Sequence, residues 1–189
     1  PALYGWVVEI DPYDRASTPK KRTALGRKKG ECATTALTHD GRVAVYMGDD
    51  ERNEYVYKFV SRGRFDPANR TTNMDLLDDG QLYVAQFEED GGRWIPITAE
   101  AANAAAVAAE SPIRFQDDGD VVVRARIAAQ LLGATPMDRP EDIEAVRDDN
   151  WRGLGPVLIA CTNNSDRGFA HPGSPRREDA EHPNAAQSN

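Results

Sequence analysis

Three short stretches place carboxylates beside tight turns: Gly26-Arg27-Lys28-Lys29-Gly30-Glu31-Cys32-Ala33, Gly48-Asp49-Asp50-Glu51-Arg52 and Met137-Asp138-Arg139-Pro140-Glu141-Asp142-Ile143-Glu144. Carboxylate oxygens brought from separate loops suit hard cations, and calcium takes about 6–8 such ligands. The guanidinium of Arg139 offers a rigid fork matched to phosphate oxygens. Acids with one arginine, and no rich histidine set, point to metal-assisted chemistry on an anionic oxygen ester. His39 falls in a hairpin turn and His171 and His182 in a polar tail, which argues against a histidine-based zinc site. Cys32 and Cys161 lack metal-ligand spacing to each other, and Cys161 reads as a small buried strand residue.

Each stretch also has a purely structural reading. Glu31 after a loop can be simply solvated. Asp49-Asp50-Glu51 after a strand fits a polar turn or a helix N-cap. Pro140 followed by Glu141, Asp142 and Glu144 fits a helix start with proline in its first turn and acids behind it. Spacing alone does not choose between these readings and a cation site.

The elements that must position these stretches are mostly strands. Gly5 to Ile10 is rich in β-branched and aromatic residues, and Asp11-Pro12 closes it. The runs 32–38 and 43–48 flank His39-Asp40-Gly41-Arg42, a hairpin signal. Tyr55 to Val60 alternates as a strand does. Gln81–Phe87 and Arg93–Ile97 flank the acidic turn 88–92 as a second hairpin, with Pro96 at an edge or a strand end. Strand character returns at 156–162. Ala-dense Thr98–Glu110 predicts a helix, and apolar positions 123, 127 and 131 predict another over 119–133, stopped by Gly133. Many short strands at regular spacing predict a mainly β chain: a sandwich, barrel or propeller with a helical insertion near 98–133.

Composition narrows the function classes. The 189 residues carry 31 acids against 23 bases, a net charge of −8, so no basic face is available for general nucleic-acid binding. The apolar runs are short, five residues at 157–161 and six at the Ala-dense 104–109, far short of the roughly 20 of a membrane helix. Two cysteines permit one disulfide at most. The chain opens on strand-like sequence with no signal-peptide pattern, and from Pro172 onward it is polar with little to bury. It therefore reads as an excerpt of a longer protein: a domain over 1–166, then a polar loop or disordered tail over 167–189.

Several segments together carry a family resemblance. Gly5-Trp6-Val7-Val8-Glu9-Ile10-Asp11-Pro12, Lys21-Arg22-Thr23-Ala24-Leu25-Gly26-Arg27, Tyr46-Met47-Gly48-Asp49-Asp50-Glu51-Arg52, the 137–144 stretch and Thr162-Asn163-Asn164-Ser165 closely resemble, in order, the PhoX-type alkaline phosphatases. The resemblance implies a periplasmic or secreted bacterial phosphomonoesterase. It implies a β-propeller section of several short antiparallel blades, with a centre combining ferric iron (Fe3+) and calcium (Ca2+). By the same resemblance Glu31 and Glu141 bridge metals, Asp50 binds calcium and Arg139 grips phosphate, while Trp6 packs. Asp138, Glu51 and Asn163 are neighbours that shape these loops. The chain departs from the family at Gly30, where members usually carry a histidine. The family's cysteine ligand to iron lies upstream of the matched region, and neither Cys32 nor Cys161 takes its place.

The expected partner is a phosphate monoester, with no nucleic acid and no membrane, and association through unpaired propeller edges is plausible. Because part of the active site falls outside the matched segments, weak or no activity is expected of these residues alone. The competing expectation is a non-catalytic calcium-binding or scaffold propeller module. A third, an acidic halophilic domain of unrelated function, draws on the five Asp-Asp and Glu-Glu doublets at 49–50, 78–79, 88–89, 117–118 and 148–149.

Overall fold

The computed structural model describes residues 2–146 and 155–165. In chain order the elements are β1 (Val8–Glu9), β2 (Lys20–Lys21), a short 3-10 turn (Thr23–Leu25), β3 (Thr34–Leu37), β4 (Arg42–Gly48), β5 (Arg52–Glu54), β6 (Val56–Arg64) and α1 (Arg70–Asn73). They continue with β7 (Gly80–Glu88), β8 (Gly91–Pro96), α2 (Ala99–Ala108), α3 (Asp118–Val123), α4 (Ala125–Leu131), β9 (Met137–Asp138), β10 (Pro140–Ala145) and β11 (Val157–Cys161). Among the described residues the protein is thus mainly β, every strand pair is antiparallel, and few helices interrupt the strands. The expected tail over 167–189, with His171 and His182, lies outside the described residues.

The five-stranded sheet β3-β4-β6-β7-β8 organises the rest. Successive side chains on a strand point to opposite faces, and here both faces are covered. Val45, Met47, Tyr57, Phe59, Leu82 and Val84 face the helices, where they meet Ala102, Val121, Ala125, Ala128 and Ala129. Ala44, Tyr46, Val56, Val60 and Ala85 face the other way, toward Ile143 and Ala145 of β10. Burial on both sides explains why the central strands read as nearly continuous apolar runs. The small alanines let α2 and α4 approach the aromatic residues of the sheet closely.

Strand β5 is absent from this sheet, because β4 pairs directly with β6. Between them the chain leaves the sheet at Gly48 and returns at Val56, and on the way β5 pairs with β9. That excursion carries Asp50 from the sheet toward Arg139. Gly48 makes the approach possible. A Cβ built there would lie 2.3 Å from the Pro140 carbonyl oxygen and 2.8 Å from that of Glu141.

Four local expectations are corrected. The strand expected over Gly5–Ile10 is only Val8–Glu9. Gly5 adopts φ +87°, and its carbonyl accepts from the Lys28 N–H at 2.8 Å, so the chain bends there to meet the 28–31 loop. The single helix over 119–133 is two, α3 and α4, broken at Arg124. In a continuous helix the Val122 carbonyl would accept from the N–H of residue 126; here it accepts from the Arg27 N–H at 2.8 Å. Pro140-Glu141-Asp142-Ile143-Glu144 is strand β10 rather than a helix start, since Ile143 and Ala145 fill the sheet's second face in alternation. Cys161 is exposed rather than buried. Cys161 shares the side of half-buried Val157 and Ile159, but it is the last residue of β11, where the cover over that side ends.

Replacing Gly48 with alanine forces a methyl group into the backbone of Pro140 and Glu141. Gly48→Ala should therefore destabilise the protein by about 1–3 kcal/mol, the usual cost of overpacking, read as a lowered midpoint in thermal unfolding. An unchanged midpoint would show that β10 can move away from β4 freely.

Candidate functional site

The end of β4, the 27–31 loop and the start of β10 meet at one edge of the sheet. Gly30 bridges Asp49, and the Asp50 N–H donates to the Lys29 carbonyl at 2.8 Å, which sets Glu31 beside Asp50. The β5–β9 pairing, with Arg52 opposite Asp138, brings Arg139 to the same place. Arg139 Nη2 lies 2.9 Å from Asp50 Oδ1 and donates to Oδ2 at 3.2 Å, and it lies 4.0 Å from Glu141 Oε1. The structure thus brings Glu31, Asp50, Arg139 and Glu141 together.

Electrostatics mark this as a crowded group of acids. The Glu31 carboxyl is raised above its ordinary pKa, first by its hydrogen-bonding proximity to Asp50 and also by the nearby charges of Asp50 and Glu141. Like charges held this close oppose each other's ionisation. Asp50 is buried, and among the described residues its Oδ1 has no hydrogen-bond partner, although Arg139 Nη2 lies within ion-pair distance of it. The short distance lacks hydrogen-bond alignment, so the charge of that oxygen is balanced while its lone pairs are not. Three oxygen donors that repel one another, one of them buried and under-bonded, are the chemistry a hard cation relieves. Among the described residues, however, no three side chains of His, Cys, Asp or Glu close around a point that could hold a metal. The donors fit part of a cation shell.

Backbone conformation at the site is unusual. Arg139 adopts φ +58° immediately before Pro140, and Asn53 adopts φ 62°. Non-glycine residues rarely hold this conformation unless their surroundings enforce it, and such positions cluster at functional sites. The surroundings are visible here: the Arg139 carbonyl accepts from the Thr162 N–H at 3.1 Å, and Asn164 Nδ2 donates to Asn53 Oδ1 at 3.1 Å. The guanidinium of Arg139 is thereby aimed back over Asp50.

The neighbouring polar residues take supporting roles. Glu51 accepts from the Arg52 N–H at 3.1 Å, lies 3.5 Å from Lys29 Nζ and has a lowered pKa, chiefly through that backbone bond, so it shapes its own turn. Cys32 is half-buried, its thiol raised by burial and lying against the backbone of Gly48 and Ile143, which makes it a spacer between β4 and β10. Trp6 is half-buried and donates its indole N–H to the Ala2 carbonyl at 2.9 Å. A cavity of about 410 Å³ lined by Trp6, Lys28, Lys29, Gly30 and Glu31 opens beside the acids.

Four residues escaped the sequence reading. Asp49, taken as part of a polar turn, is wholly buried and paired with Arg126. Lys28 is buried, donates to the carbonyls of Leu25 and Gly26 at 2.7 and 3.0 Å, and is pushed down to about 8 by burial. Glu54 Oε2 is buried 3.6 Å from Arg126 Nε with no hydrogen bond among the described residues, and burial raises Glu54 to about 7. The signal that could have found the pair was Arg126 itself, a fixed charge set among the apolar residues of a helix.

The raised Glu54 has a thermodynamic consequence. Its folded-state pKa of about 7 exceeds the ordinary 4.5, so between these values the folded protein binds more protons than the unfolded chain, and stability falls as pH rises. Glu54→Gln removes that loss. Measured against the wild type, its melting temperature should become progressively more favourable from about pH 5 to about pH 8. A difference that does not change with pH would show that Glu54 ionises normally in the fold.

Comparison with known proteins places the chain. The sequence model of the family described as alkaline phosphatase PhoX matches residues 1–187. A solved structure of Pseudomonas fluorescens PhoX in complex with vanadate, a transition state analogue, is 44% identical, with a TM-score of 0.81. The match covers 96% of this chain and 30% of that one, so the chain spans under a third of its relative's length. No curated protein matches.

Proposed function

The chain belongs to the PhoX alkaline phosphatase family, and from that premise we propose that it forms part of a metal-dependent enzyme that hydrolyses phosphate monoesters. The observation that carries this reading is Arg139, held in a strained backbone conformation over a group of carboxylates. A vanadate complex of the relative supports a phosphoryl-transfer chemistry for the shared fold. Because the match spans 30% of that relative, the remaining ligands and activity are assigned to a longer polypeptide in which these residues form a section of a β-propeller. The edge strands β3 and β8 support this, since further strands would cover them. By family resemblance the protein is periplasmic or secreted.

Glu31 and Glu141 would hold the cations, Ca2+ and Fe3+ by family resemblance, and Asp50 would supply an oxygen to calcium. Bound cations supply Lewis-acid polarisation of the phosphate oxygens. The chain's own residues do the rest. Arg139 presents its planar fork to the non-bridging oxygens of the ester and stabilises the charge that gathers there. Asp50 holds the guanidinium, and Pro140, buried against Gly48, fixes the backbone from which both Arg139 and Glu141 project. Lone carboxylates at this spacing would repel an anionic ester, so the arginine and the cations must offset them together.

A second reading, a non-catalytic calcium-binding module, rests on the incomplete shell among the described residues. Hydrolysis of p-nitrophenyl phosphate by the complete protein, with and without chelator, separates the two. Chelator-sensitive turnover is expected, with Arg139→Ala lowering kcat by about 100-fold or more. Calcium-dependent thermal stabilisation without turnover would replace the enzyme by the module, and full activity in Arg139→Ala would remove Arg139 from the chemistry.

A further inference from the structure

We infer that Arg126 is a positioning residue for this centre, acting through Asp49 to hold the Glu31 loop and the Asp50 turn together. The inference rests on the phosphatase reading above. Asp49 is 0% exposed, and its carboxylate accepts three hydrogen bonds. Arg126 Nε donates to Oδ2 at 2.7 Å, Arg126 Nη2 donates to Oδ1 at 2.5 Å, and the Lys29 backbone N–H donates to Oδ1 at 2.9 Å. The other side of residue 29 completes the clasp, since its carbonyl accepts from the Asp50 N–H at 2.8 Å. One buried carboxylate therefore joins the start of α4 to a residue two before Glu31 and, through its own chain, to Asp50.

The geometry needs arginine. Two parallel bonds from a rigid fork fix the orientation of the carboxylate, not merely its charge. A lysine would keep the charge and lose the second arm. The break between α3 and α4 also serves the clasp: the Val122 carbonyl, freed by it, grips the Arg27 N–H, so the same pair of helices holds the loop at residues 27 and 29. Without Arg126, Asp49 retains a single donor from the loop, and a buried carboxylate that has lost two of its three hydrogen bonds no longer has a fixed orientation. That loosens residue 29, and Glu31 with it.

The test is calcium binding by titration calorimetry on the complete protein, beside thermal unfolding in chelator. Residues that orient ligands typically change metal affinity by about 10- to 100-fold when altered, so Arg126→Ala should weaken calcium binding by that factor. Arg126→Lys, which keeps a positive charge beside Asp49 and loses one arm of the fork, should fall between Arg126→Ala and the wild type. Arg62→Ala, which breaks an exposed ion pair with Asp79 far from the acids, should bind calcium like the wild type. If Arg126→Ala does not fold, Arg126→Lys decides alone. Wild-type calcium affinity in Arg126→Lys, with at most a lower melting temperature, overturns the positioning role and leaves the phosphatase reading intact. A wild-type protein that binds no calcium overturns both.

Discussion

A negative charge with no access to water sits where strand β4 ends. Burying an isolated carboxylate is prohibitively unfavourable, so Asp49 can occupy that place only if donors converge on it. Three do, from a helix and from a loop distant in sequence. Satisfying this one group obliges α4, the 27–31 loop and the β4–β5 turn to take a single mutual arrangement. That arrangement puts Glu31 next to Asp50. The gathering of acids in the region follows from a requirement that has nothing to do with cations.

The sheet sets the frame around that point. Because both faces of β4 and β6 are covered, the strands cannot shift by one residue without turning aromatic side chains into the wrong layer. The rigid register means that leaving the sheet at Gly48 and rejoining at Val56 defines a loop of fixed span. Its pairing with β9 and the close contact of Gly48 with Pro140 then locate Arg139 and Glu141 within narrow limits. The left-handed backbone at Arg139 is tolerated for the same reason: neighbours on both sides hold it. Strain of this kind persists only in an over-determined setting.

Polar groups near the site divide by what they touch. Glu51 and Cys32 bond or pack locally and shape the backbone. Lys28 is buried and Glu54 half-buried, both with perturbed affinities for protons, and both lie close to the Asp49–Arg126 pair. Their burial places several titratable groups behind the candidate centre, in contact with the same sheet that carries Tyr57. The edge at which the acids gather is thus backed by polar groups rather than by hydrocarbon alone.

Hairpins at an Asp-Gly turn and at an acidic turn, alternating strands and an alanine-rich helix were legible because each depends on neighbours within a few positions. The segments quoted for the family resemblance were legible for the same reason, as were Glu31, Asp50, Arg139 and Glu141 as residues of the right chemical type. What local pattern could not decide was any choice settled by a distant partner. Pro140–Ala145 is a strand because a sheet face needed Ile143 and Ala145. The helix after Gly119 breaks because Arg27 takes a carbonyl from it, and Asp49 is buried because Arg126, 77 positions away, reaches it. Residue type and short-range spacing therefore determined the hairpins, the central strands and the supply of carboxylates and arginine. Only the tertiary structure decided which acids share a site, since that rests on charges paired between segments that the linear order keeps apart.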